Sequence, residues 1–198
     1  RRPHLYPRDV LAPGREVAVQ LSGRGTWTVH KIVGRVAATP ERGDLPGTMR
    51  VRVLPLPGDA GASQLVPFTV EVSMGGGRQT IRGHLLEALW DVRWFQWTQD
   101  PRKEPKAWEA LVAGTPLRKA KLEALSFPWK TKGPEGLAPD RFATVAETSL
   151  QVKPGRYRIR TVSDDGIRVY VDGKRVIDNW THHGPTEDIA ELDLTAGR

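Results

Sequence analysis

The run covering residues 155–180 leaves this chain little choice but antiparallel β-structure. Tyr157, Ile159 and Thr161 alternate with Arg158 and Arg160, the period-two pattern of a strand with one wet face. Ile167, Val169 and Val171 then alternate with Arg168 and Tyr170 up to Asp172-Gly173. An Asp-Gly pair between alternating apolar residues selects a two-residue hairpin turn, because both central positions need positive φ. Residues 174–178 are the predicted returning strand. Between the first two strands stands Asp164-Asp165-Gly166, two carboxylates at a tight turn and the first place to look for function.

The rest of the composition agrees with short strands and many turns. The 198 residues suffice for one large β domain or two small ones, and they include 20 Gly and 16 Pro but only 2 Met. With no cysteine, disulfides, thiolate metal sites and a Cys nucleophile are excluded. No stretch approaches the roughly 18 to 20 apolar residues of a membrane helix, and nothing resembles a signal peptide. The first residue is Arg1 rather than Met, so the chain reads as excised from a longer one.

A net charge of +7 raises nucleic-acid binding, and its distribution argues against it. Residues 1–86 carry 12 basic and 6 acidic side chains, whereas residues 87–198 carry 18 and 17. In the basic half the arginines are scattered over alternating strand positions, without the cluster or interleaved aromatics of a nucleic-acid surface. They read as a solvated strand face.

Two regions separate on pattern. In residues 1–86, β-like runs at 16–21, 26–33, 48–54, 67–73 and 79–86 are bounded by Gly/Pro/Asp segments at 39–47 and 55–62 and by Gly75-Gly76-Gly77. This spacing predicts an immunoglobulin-like β-sandwich lacking some strands, with the glycine triplet as a hairpin loop. The triplet is no phosphate loop, since no Gly-Lys-Ser/Thr follows. Residues 87–198 are the second region. Pro105, Ala107, Trp108, Leu111 and Val112 followed by Gly114 and Pro116 predict a short helix over 105–113, with another turn or two of helix at 117–125. From Arg141 onward the pattern is strand and turn. The lead-in Leu150 to Arg156 is echoed by Leu192 to Arg198, which predicts a further strand in the parent protein and a sandwich cut before its last strands, with an open edge.

Ser163-Asp164-Asp165-Gly166 with Tyr170 to Gly173 and Val176 to Trp180 resembles the signature of the PA-fourteen domain. That β-sandwich module is named for anthrax protective antigen and also occurs in yeast adhesins and as an accessory module of bacterial glycosidases. The likeness extends back through Asp140-Arg141-Phe142 and Pro154 to Tyr157, and more weakly to Trp90 to Phe95, so it covers about residues 88–198. It implies a jelly-roll sandwich. In sugar-binding members the paired Asp ligate a Ca²⁺ that also coordinates sugar hydroxyls, across a cis peptide; carried over, that implies Asp164 and Asp165. The family's second calcium loop lies well downstream of the paired Asp, beyond the end of this sequence, and the sugar-selecting insertion of the yeast adhesins has no visible counterpart.

Each candidate residue also has a plainer reading. Asp164-Asp165 fits an Asx-type turn as well as a metal site. Trp180 fits sugar stacking or packing at a strand end. His182 and His183, being adjacent, point to opposite faces of an extended chain and ligate one ion poorly, so they suit a solvent loop that touches a ligand near Asp164. No Gly-x-Ser-x-Gly elbow, His-Glu-x-x-His or dinucleotide fingerprint is present, so the chain itself is not expected to be an enzyme.

The expectation is therefore an all-β chain. Residues 1–86 form an incomplete immunoglobulin-like sandwich, and residues 87–198 form a PA-fourteen-like sandwich with a helical insertion at 105–125. The expected function is non-catalytic carbohydrate binding within a larger extracellular, periplasmic or cell-surface protein. Asp164, Asp165, Trp180, His182 and His183 are the ligand-binding set, with Asp164 and Asp165 holding Ca²⁺. The partners are a glycan or polysaccharide and the other domains of the parent chain, with no nucleic acid and no membrane span. The alternatives are a structural spacer or protein-interaction module, or an accessory domain packed on the catalytic core of a larger enzyme.

Overall fold

A computed structural model describes residues 10–11, 15–56 and 63–195. Most of the loop expected at 55–62, and the Gly197-Arg198 end of the repeated lead-in, lie outside the described residues. The chain divides into two compact units. The first comprises Arg1–Asp91 with Lys121–Ser126 and Glu147–Gln151; the second comprises Val92–Ala120, Phe127–Ala146 and Val152–Arg198. Both are built of strands, with one short helix among the described residues, so the all-β fold class holds.

The first unit contains β1 (Val10–Leu11), β2 (Glu16–Val33), β3 (Val36–Thr39), β4 (Arg42–Val53), β5 (Gln64–Met74) and β6 (Gly77–Glu87). These strands make one hydrogen-bonded sheet in the order β1-β6-β5-β2-β4-β3, rather than the two separate sheets of an immunoglobulin-like arrangement. The physical reason is β2. The two predicted strands at 16–21 and 26–33 are one strand of 18 residues, pairing with β4 through Glu16–Thr28 and with β5 through Trp27–Val33. Register shifts between Leu21 and Gly25, and between Val29 and Lys31, mark where it bends. Both halves of the sheet thereby line one core. Val19, Leu21 and Trp27 of β2 and Met49, Val51 and Val53 of β4 join Phe68, Val70 and Val72 of β5 and Ile81 and Leu85 of β6. Sandwich-like packing thus comes from one sheet turning a corner.

Two glycine positions make this possible. A Cβ on Gly43 would lie 2.9 Å from the indole nitrogen of Trp27, so only glycine lets the largest core side chain pack flat on the backbone of β4. Gly75 (φ +57°) and Gly76 (φ +79°) form the two-residue turn between β5 and β6, with Met74 paired to Gly77, as the glycine triplet predicted.

The second unit holds most of β7 (Trp90–Gln96), of β8 (Arg118–Leu122) and of β9 (Phe142–Glu147), together with α1 (Pro105–Ala113), β10 (Gly155–Ser163), β11 (Ile167–Val171), β12 (Lys174–Asn179) and β13 (Thr186–Leu194). Its strands form a three-stranded sheet of order β8-β7-β9 and two antiparallel pairs, β10-β13 and β11-β12. The helix falls where it was expected, with Pro105 in its first turn and the Gly114 amide donating to Leu111 O. The further helical turns expected at 117–125 are instead strand β8. Arg118, Ala120 and Leu122 are half-buried while Lys119 and Lys121 are exposed, so tertiary pairing with β7 imposes period two on residues that would otherwise favour helix. The Asp172-Gly173 hairpin forms as predicted, with φ of +50° and +76° between β11 and β12.

Candidate functional site

β10 does not pair with β11. It pairs with β13 over nine residues, from Gly155 opposite Leu194 to Ser163 opposite Thr186. Residues 164–166 therefore make a corner that carries the chain from one two-stranded sheet to the other. Asp165 occupies it with φ +70°, a left-handed conformation that Asp tolerates better than most residues. Two bonds hold this corner: the Asp165 amide donates to His183 O at 2.8 Å, and Ser163 Oγ donates to Asp165 O at 3.1 Å.

The Asp165 side chain is tied down as well. Its Oδ1 accepts Arg102 Nη1 at 2.9 Å and lies 2.5 Å from His182 Nδ1. Arg102 in turn grips Asp100 with both ends of its fork, Nε to Oδ1 and Nη2 to Oδ2 at 2.9 Å each, and its backbone amide also donates to Asp100 Oδ1. These bonds from Arg102 hold the Asp100 carboxyl below its ordinary pKa range against the opposing pull of desolvation. The Asp100 bond, with the attraction of Asp100 and Asp165, raises Arg102. Asp164 behaves differently: its side chain is exposed, and no described residue bonds it.

Trp180 sits beside this network and is packed on several sides. Its indole N–H donates to Pro101 O at 3.1 Å, Trp108 meets it edge-to-face at 5.2 Å, and the Arg168 guanidinium lies 4.7 Å from its ring centre. Arg168 is itself bonded to Asp178 Oδ1 at 2.8 Å. The packing reading of Trp180 is the one the structure favours, because a stacking platform needs a bare face. His182 is exposed, with 84% of its side chain accessible, so its contact with Asp165 leaves most of the ring open to solvent. His183 turns the other way, its Nδ1 against Gly184 O at 2.7 Å and its Nε2 buried without a partner.

The structure therefore brings Asp165, His182 and Trp180 together with Asp100, Arg102, Trp108 and Arg168. Sequence reasoning missed Asp100 and Arg102. Their signal was the Asp-Pro-Arg spacing, which lets an Asp side chain accept the amide and guanidinium two residues on.

Ca²⁺ takes six to eight oxygens. Among the described residues no three His, Asp or Glu side chains are grouped to hold a metal. The Asp165 oxygen that an ion would want faces a guanidinium. The Asp164–Asp165 peptide is trans, the cis bonds among the described residues being Thr39–Pro40 and Leu45–Pro46. The side chains as placed do not fit a calcium shared by Asp164 and Asp165.

Residues 118–198 match the PA14 domain. The resemblance carried by Ser163 to Trp180 is thus borne out, although the matched segment starts at Arg118 rather than near residue 88, and the N-terminal part stays unassigned. PA14 domains are β-sandwich modules, often carbohydrate-binding and usually non-catalytic accessories of larger proteins. The chain is also similar to the anti-sigma-I factor RsgI3 of Acetivibrio thermocellus, 43% identical over 42 residues. That alignment covers 21% of this chain and 6% of the relative. No helix among the described residues is long and apolar enough to cross a membrane.

Proposed function

We propose that the chain is a non-catalytic, carbohydrate-binding accessory region of a larger protein acting outside the cytoplasm, and that its PA14 region makes the contact. One observation carries this reading: two exposed polar groups, Asp164 and His182, stand on a base that the Asp165–Arg102–Asp100 network holds rigid. A carboxylate and an imidazole presented side by side on that base suit sugar hydroxyls, which both donate and accept. The reading needs no bound ion.

The test is affinity electrophoresis against a panel of soluble polysaccharides, with and without EDTA. Retardation by at least one polymer is expected, unchanged by EDTA, and weakened about tenfold by Asp164→Ala or His182→Ala, as for loss of one charged hydrogen bond. Retention that survives both substitutions would sink the proposed surface, and loss on EDTA alone would restore an ion site. A second reading, a structural spacer, is favoured by the internal satisfaction of Asp165, Arg102 and Trp180. It predicts no retardation by any polymer.

A further inference from the structure

The exposed face of the first unit carries a feature that the PA14 region does not share. Register places four residues in one row across four strands: Arg78 of β6 opposite Ser73 of β5, Ser73 opposite Thr28 of β2, and Thr28 opposite Arg42 of β4. Neighbours in such a row stand about 5 Å apart. Beside the row an open groove of about 390 Å³ is lined by Arg24, Thr26, Thr28 and Ser73, with Met74, Gly25 of β2 and the Gly75-Gly76 turn. A Cβ added to Gly25, Gly75 or Gly76 meets nothing within 4 Å, so the mouth of the groove is clear.

The arginines here are unlike most others in the chain. Arg50, Arg156, Arg158, Arg160, Arg168 and Arg175 each have a carboxylate partner, although all lie on exposed strands. Arg24, Arg42 and Arg78 have no hydrogen-bond or ion-pair partner among the described residues. Two carboxylates share this face, Asp44 across from Thr26 and Glu71 across from Lys31; like Arg42 and Arg78 they flank the groove without lining it. The Arg24 guanidinium and the hydroxyls of Thr26, Thr28 and Ser73 line the groove, and Arg42 and Arg78 flank it at the two ends of the row, so the concavity is donor-rich and positively charged. Guanidinium forks match tetrahedral oxyanions in bidentate geometry, and hydroxyl donors complete the shell.

The geometry points to a second binding site, for a sulfate or phosphate oxyanion, in the groove at the β2–β5 end of the first unit. It is independent of the carbohydrate reading of the PA14 region. The oxyanion is either free in solution or borne on a polymer, and the test separates these sources.

The experiment is an amide-resolved NMR titration of the whole chain with sodium sulfate, then sodium phosphate, at ionic strength held constant with NaCl. Saturable shifts are expected at residues 24–28 and 73–76. Arg24→Gln, Arg42→Gln and Arg78→Gln should each weaken binding about tenfold, the scale of one charged hydrogen bond, and leave the melting temperature unchanged. Ser73→Ala, which removes no charge, should weaken it less. Dextran sulfate binding much more tightly than free sulfate, with neutral dextran inert, assigns a polymer-borne group; equal affinities assign the free ion. Shifts that rise linearly without saturation overturn the site, as do equal shifts along the paired arginines 156–160 or affinities that ignore all three arginine substitutions.

Discussion

The two units are both made of antiparallel strands, yet different forces hold them together. The first buries Trp27, Phe68, Met49, Leu21, Ile81 and Leu85 at 1% exposure or less around a single core. Among the described residues the second buries few apolar side chains: Val92, Trp94, Phe95, Ile177 and Ala190. It relies on aromatic contacts, such as Phe127 stacked on Trp129 at 4.6 Å with Phe142 edge-on at 5.2 Å, and on bonded charges. A β pattern in sequence says that strands form; it does not say whether apolar burial or polar pairing makes them stay. The consequence is visible in the arginines. Among the described residues, the first unit pairs Arg35 and Arg50 with glutamates but leaves Arg24, Arg42 and Arg78 free, whereas in the second Arg102, Arg156, Arg158, Arg160, Arg168 and Arg175 are all bonded to Asp or Glu.

Core truncation should separate the units most. Trp27→Ala removes the largest buried side chain of the first unit and should cost about 3–5 kcal/mol in urea unfolding. Trp180→Ala, at a partly exposed ring in the second unit, should cost about 1–3 kcal/mol. Equal costs would erase the distinction between them. Next comes Arg102→Ala, which strands the mostly buried Asp100 carboxylate and should cost about 1.5–3 kcal/mol. Arg102→Lys should recover only part of this, because an ammonium cannot reproduce the bidentate fork. Hydrogen exchange at residues 164–166 and 182–184 is the local readout, and unchanged protection there would show that the corner does not depend on Arg102.

Acid should sharpen the comparison. Asp100, Asp178 and Glu191 all have folded-state carboxyls held below their ordinary range, each first by a hydrogen bond from an arginine. A depressed carboxyl contributes stability that is complete above its unfolded pKa and is lost as pH falls through the folded value. Exchange protection in β10–β13 and β11–β12 should therefore fall below about pH 4 while that of β5–β6 persists. Loss of protection at the same pH in both places would contradict this. The smallest effect is salt: 1 M NaCl, where screening acts over about 3 Å, should slightly speed exchange in β10–β13 and leave β5–β6 unchanged.

Much of the fold was legible because its signals were local. The Asp172-Gly173 turn, the Gly75-Gly76 turn and the Pro105 helix each depend on a handful of adjacent residues with distinctive backbone chemistry. What was not legible depended on distant partners. Residues 118–122 look helical until β7 pairs with them, and 16–33 looks like two strands because Gly23 and Gly25 interrupt a single one. The site divides the same way. Asp165 and its turn could be read directly, whereas its cation, Arg102, lies 63 residues upstream and no spacing rule connects them. The calcium implied by resemblance presumed carboxylates facing solvent; that guanidinium is what Asp165 faces instead.

The β5–β6 hairpin also has a meaning in time. Its eleven-residue register closes over a turn of two residues, so this pairing is the most local the sheet offers, and hairpins of this kind form in about 1–10 μs. Pairing of β2 with β5 must instead wait for the chain between Val33 and Gln64 to loop back. Gly75 and Gly76 thus govern how soon the first unit finds its structure, and a bulky residue at either should slow folding more than it speeds unfolding.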